Sequence, residues 1–459
     1  MRRLLVGILV LALAVPAGVA RATNGGHEST AGDYLDALVK RSPAPDYRRY
    51  GTPAMAEVAD WAAGRLASAG YRVVPDDEAT ANRWAVDYSP GHQPMLTSGG
   101  QSFKTESAFD IGATGPAGVT CTLKKIADVG PGDCGFVPFS DGSPEWKNVT
   151  FNAPADIAQI VAQGGVGAVA QGDTQRNLVY ALRAKTTIPT VVSVVPDTIV
   201  GQQVTLRAMG ASVPAVSHNV VGVLPPPPGS NQYVALTAHM DGWFQAAADN
   251  GGGTAALLRA ADLLAAQHPN VGVFIGLMDG EEYGLLGSQK LAAKLGSPDG
   301  FAGVHMSDIK ADVNLDASSA RASDVQNQVR STAGQDAPVF SWRAMVFSDE
   351  PTLASLFLTT FAAHGVLGLP VNSQAAIQAE GGWRTDAQWF DQQGVPVAWP
   401  VDGYPEYHTD GDVQCAGPSA AALPCSVDKA DLENVAEASA DLVGKLATAP
   451  IQPVPQQLR

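Results

Sequence analysis

The second half of the chain alternates short apolar runs with amphipathic stretches. Short apolar runs predict strands over residues 233–238, 271–278, 311–315 and 395–401, and the stretch 254–266 has the spacing of a helix. Strands that alternate with helices are typical of parallel sheets. The pattern therefore predicts an α/β fold with a mostly parallel central sheet and helices on both faces.

A helix is also predicted near the start of the chain. Thr52 can cap it, Pro53 suits its first turn and Gly70 can end it, and a strand should follow at 71–74. One stripe of this helix is apolar, which predicts a single buried face. The stripe consists of Met55, Val58, Ala62 and Leu66.

From about residue 99 to 224 the pattern changes to shorter runs without convergent histidines and carboxylates. The polyproline stretch 225–229 that follows is stiff and of the kind that separates units. We therefore interpret this segment as a unit of its own. Its predicted strands are 118–123, 135–139, 166–171 and 188–195, and its predicted helices are 154–163 and 197–209.

Length and composition allow two globular domains, with 459 residues of which 45% are hydrophobic. Residues 1–22 have the layout of a cleavable secretory signal, with Arg2 and Arg3, an apolar run and a small-x-small triplet. We expect a mature chain that begins near Thr23 and is secreted, with no membrane attachment after cleavage. The alternative is an uncleaved membrane anchor.

Charge and cysteines narrow the class of protein. The net charge of −16, with no Lys/Arg cluster after the signal, argues against nucleic-acid partners. Cys121 with Cys134 and Cys415 with Cys425 form two close pairs in the sequence. In an exported chain two local disulfides are favoured over a cysteine-ligated zinc ion, although four cysteines allow three pairings.

Residues that suit metal binding stand at the ends of the predicted strands. His239, Glu282, Asp316 and His408 each lie at or just beyond a carboxyl end, where open α/β sheets have their sites. Two nearby divalent ions need a shared carboxylate, because their charges otherwise repel across roughly 3.5–4 Å. Asp249, in the loop after the first strand, is the candidate bridge; the first histidine and Asp316 suit one zinc ion, and Glu282 and His408 suit the other.

Two further carboxylates have other predicted roles. Asp241 is spaced to accept the second ring N–H of His239 and hold its tautomer. Adjacent residues in a turning backbone point in different directions, so Glu282 can bind metal while Glu281 faces water as the general base. A Glu-Glu pair alone is more typical of a solvated acidic turn.

These motifs resemble metallopeptidase family 28, the co-catalytic di-zinc exopeptidases. Five motifs in family order are more specific than any one of them. The resemblance implies two zinc ions held as described above, Glu281 as the general base and Asp241 as a catalytic residue behind the first histidine. It is carried by Ala238-His239-Met240-Asp241, Ala248-Asp249-Asn250, the run from Asp279 to Ser288, Asn314-Leu315-Asp316 and Tyr407-His408-Thr409.

The resemblance also implies a domain organisation. Residues 23–98 and 223–448 would form the di-zinc peptidase domain, and 99–222 a smaller, β-rich protease-associated domain inserted into it. The Gly-Gly turn at 164–165 and Ile188-Pro189 carry this second match. Residues 449–459 are rich in Pro and Gln and are predicted to be a disordered tail.

The chain departs from the family pattern near the expected pocket. Ala248 stands where an acidic residue usually precedes the bridging aspartate, and Thr385-Asp386-Ala387 stands where Ser-Asp-His is common. Neither change removes a metal ligand. Arg384 resembles an arginine that contacts the bound peptide in related aminopeptidases, so it is the predicted substrate-binding residue.

The expected function is that of a secreted aminopeptidase that removes N-terminal residues from peptides with a free N-terminus. A zinc-activated water would attack, with Glu281 as general base. A glutamate-type metallocarboxypeptidase is one alternative, but it would need several arginines, and only Arg384, Arg343 and Arg259 stand near the motifs. A non-catalytic, receptor-like binding protein is another, although such proteins typically lose the ligands.

Other residues near the motifs have two interpretations each. Asp412 either supports His408 or belongs to a solvated loop. Five aromatic residues in the loops near the ligands could line a specificity pocket or belong to the core. They are Trp243, Phe244, Trp383, Trp389 and Tyr404.

Overall fold

The structure is a computed structural model that describes residues 28–139, 152–174, 177–318, 342–373, 384–404, 406–414 and 426–454. The predicted signal segment 1–22 lies outside these residues. Within the described part, the chain forms two eight-stranded sheets and a two-stranded ribbon. Helices flank the first sheet, so the predicted α/β class is confirmed.

The first sheet is mixed and mainly parallel. Its middle strands are buried along their whole length, which is typical of parallel strands covered on both faces. Strands are numbered in chain order. In spatial order this sheet consists of β1 (Arg72–Ala79), β12 (Val216–Leu224), β14 (Gly272–Met278), β13 (Tyr233–His239), β15 (Ile309–Asn314), β18 (Val397–Gly403), β16 (Trp342–Phe347) and β17 (Leu369–Asn372).

Two hydrophobic clusters cover the two faces of this sheet. Along β13, Val234, Leu236 and Ala238 face one cluster, and Tyr233 and Ala235 face the other, because side chains alternate along a strand. The first cluster includes residues of α1 (Ala31–Lys40), α2 (Pro53–Ser68), α4 (Gly253–Gln267), α6 (Pro351–Ala363) and α8 (Lys429–Leu446). The second includes residues of α5 (Leu286–Leu295) and α7 (Ala387–Asp391).

No helix in the described part of the chain is both long and apolar enough to cross a membrane.

The helix predicted near the start of the chain and the elements predicted for its second half are confirmed, with small shifts at their ends. The four predicted strands of the second half are β13, β14, β15 and β18, and the helix between the first two is α4. In α2, the Thr52 side chain accepts a hydrogen bond from the backbone N–H of Met55 at 3.2 Å. The four residues of its predicted apolar stripe are buried.

The second sheet, with α3 (Ala153–Ala162) packed against it, forms what we call the second unit, from Met95 to Arg207. A disulfide between Cys121 and Cys134 joins two of its strands, as predicted. Cys415 and Cys425 lie outside the described residues. The strands in spatial order are β4 (Gln101–Phe103), β3 (Met95–Ser98), β10 (Gln203–Arg207), β6 (Val119–Lys125), β7 (Cys134–Val137), β8 (Gly167–Gln171), β9 (Thr190–Ser193) and β5 (Thr105–Ser107).

The helix predicted over 197–209 is wrong. A single 3₁₀ turn, Asp197–Ile199, is followed by strand β10. Val204 and Leu206 are buried while their neighbours are not, which is the period of a strand with one covered face. The helical spacing of the apolar residues was therefore accidental.

The connection between the units differs from the sequence interpretation. Strand β12 pairs with β1 and β14 in the first sheet, so the polyproline stretch 225–229 links two strands of that same sheet. β11 (Gly210–Val213) and β2 (Arg83–Val86) form the separate ribbon. The limits 99–222 of an inserted domain stay a prediction. At the end of the chain, the backbone N–H of Val454 donates to the carbonyl of Gly394 at 3.1 Å, so part of the predicted tail contacts the fold.

Candidate metal centre

The predicted ligands meet at one edge of the first sheet. His239 is the last residue of β13, and Glu282, Asp316 and His408 follow the carboxyl ends of β14, β15 and β18. Asp249 comes from the turn Ala247–Gly252 that precedes α4. These five residues form two groups that share Asp249, and the ligand atoms within each group lie within 4.8 Å of one another.

Asp249 lies between the two histidines. Its Oδ1 is 3.2 Å from Nε2 of His239, and its Oδ2 is 3.2 Å from Nε2 of His408. Oδ1 of Asp316 is 3.2 Å from the same nitrogen of His239, and Oε2 of Glu282 is 3.1 Å from that of His408. Each side therefore offers one imidazole and one carboxylate, with a third carboxylate shared between them.

The charges of this cluster fit two divalent cations. Burial raises the pKa of Glu282 to about 7, helped by the charge of Asp249 and opposed by His408. Burial would lower the pKa of His408, but these two carboxylates raise it to about 10. The Oε1 atom of Glu282 is buried and has no hydrogen-bond partner. Crowded carboxylates with imidazole nitrogens are a ligand set for metals such as zinc.

Asp241 orients the turn that carries both glutamates. It is buried, and its carboxylate accepts hydrogen bonds from the backbone N–H groups of Glu281 at 3.1 Å and Glu282 at 3.3 Å. Nδ1 of His239 is 3.1 Å from the carbonyl oxygen of Asp241 and 3.5 Å from its Oδ1. The imidazole is thus closest to the main chain, and the carboxylate of Asp241 mainly fixes the two glutamates.

Glu281 lies in neither of the two ligand groups, although it is adjacent to Glu282. Burial raises the pKa of Glu281 well above its usual value, with a further rise from nearby Asp316 and Asp386 and an opposing effect of His239. A carboxylate whose pKa is raised is a stronger proton acceptor than an ordinary carboxylate. Its role as the base stays a prediction.

Arg48, which no sequence pattern singled out, holds the loop after β13. Its side chain is buried, and Nε donates to the carbonyl of Met240 at 2.7 Å. The two terminal nitrogens donate to the carbonyls of Gln245 and Ala246. The partner at Met240 is 192 positions away in the chain, so local sequence gives no signal for this contact.

Asp412 supports Asp249, and the alternative of a solvated loop is wrong because the residue is buried. Its Oδ1 accepts from the backbone N–H of Ala248 at 2.8 Å. Its Oδ2 accepts from the backbone N–H of Asp249 at 3.0 Å and from the hydroxyl of Tyr404 at 2.8 Å. It therefore links the loop of His408 to the candidate bridge.

The stretch at 384–387 reaches the same edge of the sheet. The hydroxyl of Thr385 accepts from the side chain of Asn314, at the end of β15, at 2.6 Å. Asp386 is buried, and burial is the main reason why its pKa rises to about 7. Arg384 is exposed, and its predicted contact with substrate stays a prediction.

Two of the arginines near the motifs are engaged elsewhere. The buried guanidinium of Arg343 donates to the carboxylate of Asp402 at 2.6 and 2.8 Å, and to that of Asp431 at 2.6 and 3.1 Å. Nε of Arg259 lies 2.8 Å from a carboxylate oxygen of Glu433. Both side chains join elements of the fold.

The aromatic residues of the loops belong mainly to the core. Trp243 and Phe244 are buried in the cluster that includes the second unit, and the ring of Trp243 lies 4.7 Å from that of Phe109. Trp389 is partly buried against the cluster on one face of the first sheet. Trp383 lies outside the described residues. The core interpretation therefore holds for Trp243 and Phe244.

An α/β sandwich with paired imidazole and carboxylate groups around a shared carboxylate is an arrangement of two-metal hydrolases. Residues 219–416 match the model of peptidase family M28. That segment, which contains every predicted ligand, is therefore similar to the M28 peptidases. Among curated proteins, none matches the chain.

Solved structures with similar folds extend over nearly the whole chain. A peptidase M28 precursor from Shewanella amazonensis is 18% identical, with a TM-score of 0.69, 94% of this chain covered and 96% of that one. The zinc aminopeptidase BSAP from Bacillus subtilis is 18% identical, with a TM-score of 0.64 and coverages of 91% and 95%. An aminopeptidase from Aneurinibacillus sp. strain AM-1 is 16% identical, with a TM-score of 0.58 and coverages of 93% and 97%. At these identities the similarity concerns the fold.

Proposed function

We infer that the protein is a two-zinc aminopeptidase that removes residues from the free N-terminus of peptides. One observation carries the proposal: the carboxylate of Asp249 directs one oxygen to each of the two histidines, both at 3.2 Å. A shared carboxylate is what two adjacent divalent ions require. A receptor-like protein without catalysis would have no need to retain the complete set of ligands together with Glu281.

The residues divide the chemistry among them. His239 and Asp316 would hold one zinc ion, Glu282 and His408 the other, and Asp249 would bridge them. The ions, when bound, would supply Lewis acidity towards the scissile carbonyl and the attacking water. Glu281 takes a proton from that water and passes it to the departing amine.

The choice of aminopeptidase over carboxypeptidase depends on charge. A carboxypeptidase that releases glutamate needs cationic groups for two carboxylates, yet Arg343 and Arg259 are paired with carboxylates of the fold. A free α-amine instead suits the buried acidic groups around the metals. Two of the similar solved structures are aminopeptidases, which favours the same choice.

Secretion is part of the proposal, with residues 1–22 as the cleaved signal. Mass spectrometry of the exported protein should give an N-terminus near Thr23. An intact N-terminus in the cell fraction would contradict it.

The deciding experiment compares substrates and metal content in one preparation. We expect close to two zinc ions per chain, hydrolysis of aminoacyl anilides with a free amine, and no hydrolysis after N-acetylation. Peptides that end in glutamate, blocked at the N-terminus, are the control for the carboxypeptidase alternative. Cleavage of those control peptides, or equal cleavage of free and acetylated substrates, would overturn the proposal.

A further inference from the structure

A segment of the second unit runs from its own sheet to the loop of His408. We call residues 178–184 the strap. It lies in the connection between strands β8 and β9 of the second sheet. The side chains of Leu178, Tyr180 and Leu182 are buried. At its far end the strap pairs with Phe109 of its own unit: the Phe109 N–H donates to the carbonyl of Leu182 at 2.8 Å, and the N–H of Ala184 donates to that of Phe109 at 3.0 Å.

The near end of the strap pairs with the loop that carries His408. The backbone N–H of Ala181 donates to the carbonyl of His408 itself at 2.8 Å. The N–H of Asp410 donates to the carbonyl of Val179 at 2.9 Å, and the N–H of Val179 donates back to Oδ1 of Asp410 at 2.9 Å. The strap and the loop each donate hydrogen bonds to the other, so the loop is fixed in position along the strap.

Side chains strengthen the same contact. Lys104 of the second unit forms an ion pair with Asp410 and donates to the carbonyl of Asn177, just before the strap, at 2.7 Å. Leu178 packs closely on Gly411, where an added Cβ would lie 2.6 Å from a methyl group of that leucine. The loop is therefore packed tightly against the strap at this glycine.

His408 needs such support because its backbone is in an unfavourable region. Its φ is +56°, which costs a residue other than glycine free energy, so the surrounding contacts must hold it. On the peptidase side, Asp412 binds the backbone of Ala248 and Asp249. The strap supplies the contacts on the other side, directly at the carbonyl of the histidine.

We propose that the strap positions His408, so that the second unit sets the affinity of the metal site formed by Asp249, Glu282 and His408. This inference rests on the proposed two-metal function. The competing explanation is that the strap only joins the two units. A joining contact would affect the stability of the fold, whereas a positioning contact affects one of the two metal sites selectively.

Asp410 offers a test that leaves every ligand intact. Asp410→Ala removes the oxygen that accepts from Val179, at a side chain that is 20% exposed and pairs with Lys104. Asp410→Asn keeps an acceptor for Val179 but loses the ion pair. Lys104→Met also loses the ion pair, and Lys445→Met removes an unrelated exposed ion pair with Asp441 as the matched control.

The readout is zinc binding to the metal-free protein, titrated against a chromophoric chelator to give two dissociation constants. Glu282→Gln identifies which constant belongs to the site of His408. Asp410→Ala should weaken that constant by about ten- to a hundredfold, the usual effect of a residue that orients a ligand, and leave the other unchanged. Asp410→Asn should restore most of the affinity, and Lys445→Met should have no effect.

Three results would overturn the inference. The first is an unchanged dissociation constant for the site of His408 in Asp410→Ala. The second is an equal loss of affinity at both metal sites together with a lower unfolding temperature of the metal-free protein. Either one would leave the proposed function standing if the wild type binds two ions. A wild type that binds no zinc would overturn the proposed function, and this inference with it.

Discussion

At the scale of single residues, the carboxylates of Glu281 and Glu282 are chemically identical but leave the backbone in different directions. Glu282 directs an oxygen to His408 at 3.1 Å, while its neighbour Glu281 belongs to neither ligand group. The carboxylate of Asp241 binds both backbone N–H groups and so fixes the turn. Two adjacent glutamates can therefore have different functions.

The two glutamates should respond differently to loss of charge. Glu281→Gln should keep both metals and the fold while it lowers turnover by roughly two to four orders of magnitude, the usual contribution of a general base. Glu282→Gln should weaken one metal site. Metal stoichiometry and turnover of both variants decide the matter. Equal metal loss in both, or near-normal turnover in Glu281→Gln, would show that the roles are assigned wrongly.

Asp312 should make the stability of the fold depend on pH. It is buried within β15, and burial raises its pKa to about 8, against the hydrogen bonds from Thr237 and with a contribution from Asp386. A carboxyl group whose pKa is raised by folding favours the folded state below the unfolded pKa, near 4, and loses that contribution as the pH rises through about 8.

Asp312→Asn, which stays neutral, should therefore unfold at a higher temperature than the wild type at pH 8, with a gap that shrinks towards pH 5. The control is Asp308→Asn, at a more exposed position of the turn before the same strand. Thermal unfolding of both variants across this range is the measurement. A gap independent of pH would contradict the raised pKa of Asp312.

At the scale of elements, loops rather than strands complete the site. The loop after β13 is held by Arg48, and the loop after β18 is tied to it by Asp412. Each of these side chains satisfies main-chain groups that would otherwise be buried without partners. Such groups cost free energy when unpaired, so the loops depend on distant residues.

Replacing Asp412 should show that dependence. Asp412→Ala leaves the backbone N–H groups of Ala248 and Asp249 unpaired and should lower the free energy of unfolding by about 2–6 kcal/mol, at roughly 1–3 kcal/mol for each buried group. Tyr404→Phe removes only one hydrogen bond to the same carboxylate, so it should cost about 0.5–1.5 kcal/mol. Urea unfolding of the two variants gives the comparison, and equal costs would argue against Asp412 as the support of the loop.

The sequence predicted the strands and the ligands for a physical reason. The central strands are apolar along their length because both faces are covered, and the candidate ligands follow the carboxyl ends of these strands. The second unit was harder, since the apolar residues of 197–209 also fit a helix, and only pairing with β3 and β6 decides for a strand. Arg48 and the strap act through contacts between distant segments, which local patterns do not contain.

At the scale of the whole molecule, the metal site is where separate parts of the chain meet. β13 ends at one candidate ligand, the loops after β14, β15 and β18 carry the others, and the turn before α4 carries the candidate bridge. The strap of the second unit pairs with the loop of His408. The buried ion pairs of Arg343 with Asp402 and Asp431 join β16, β18 and α8. Metal binding should therefore be linked to the stability of the whole fold.

Removal of the metals should lower both activity and stability. Ions that bind only the folded chain stabilise it by about 2.7 kcal/mol per site when free zinc is 100 times the dissociation constant. They also relieve the repulsion among Asp249, Glu282 and Asp316. A strong chelator should therefore abolish turnover and lower the unfolding temperature, and zinc should restore both in two steps, measured by calorimetry and metal analysis. The bridging role of Asp249 predicts that one ion alone gives partial recovery, so a single tightly bound ion with full activity would exclude that role.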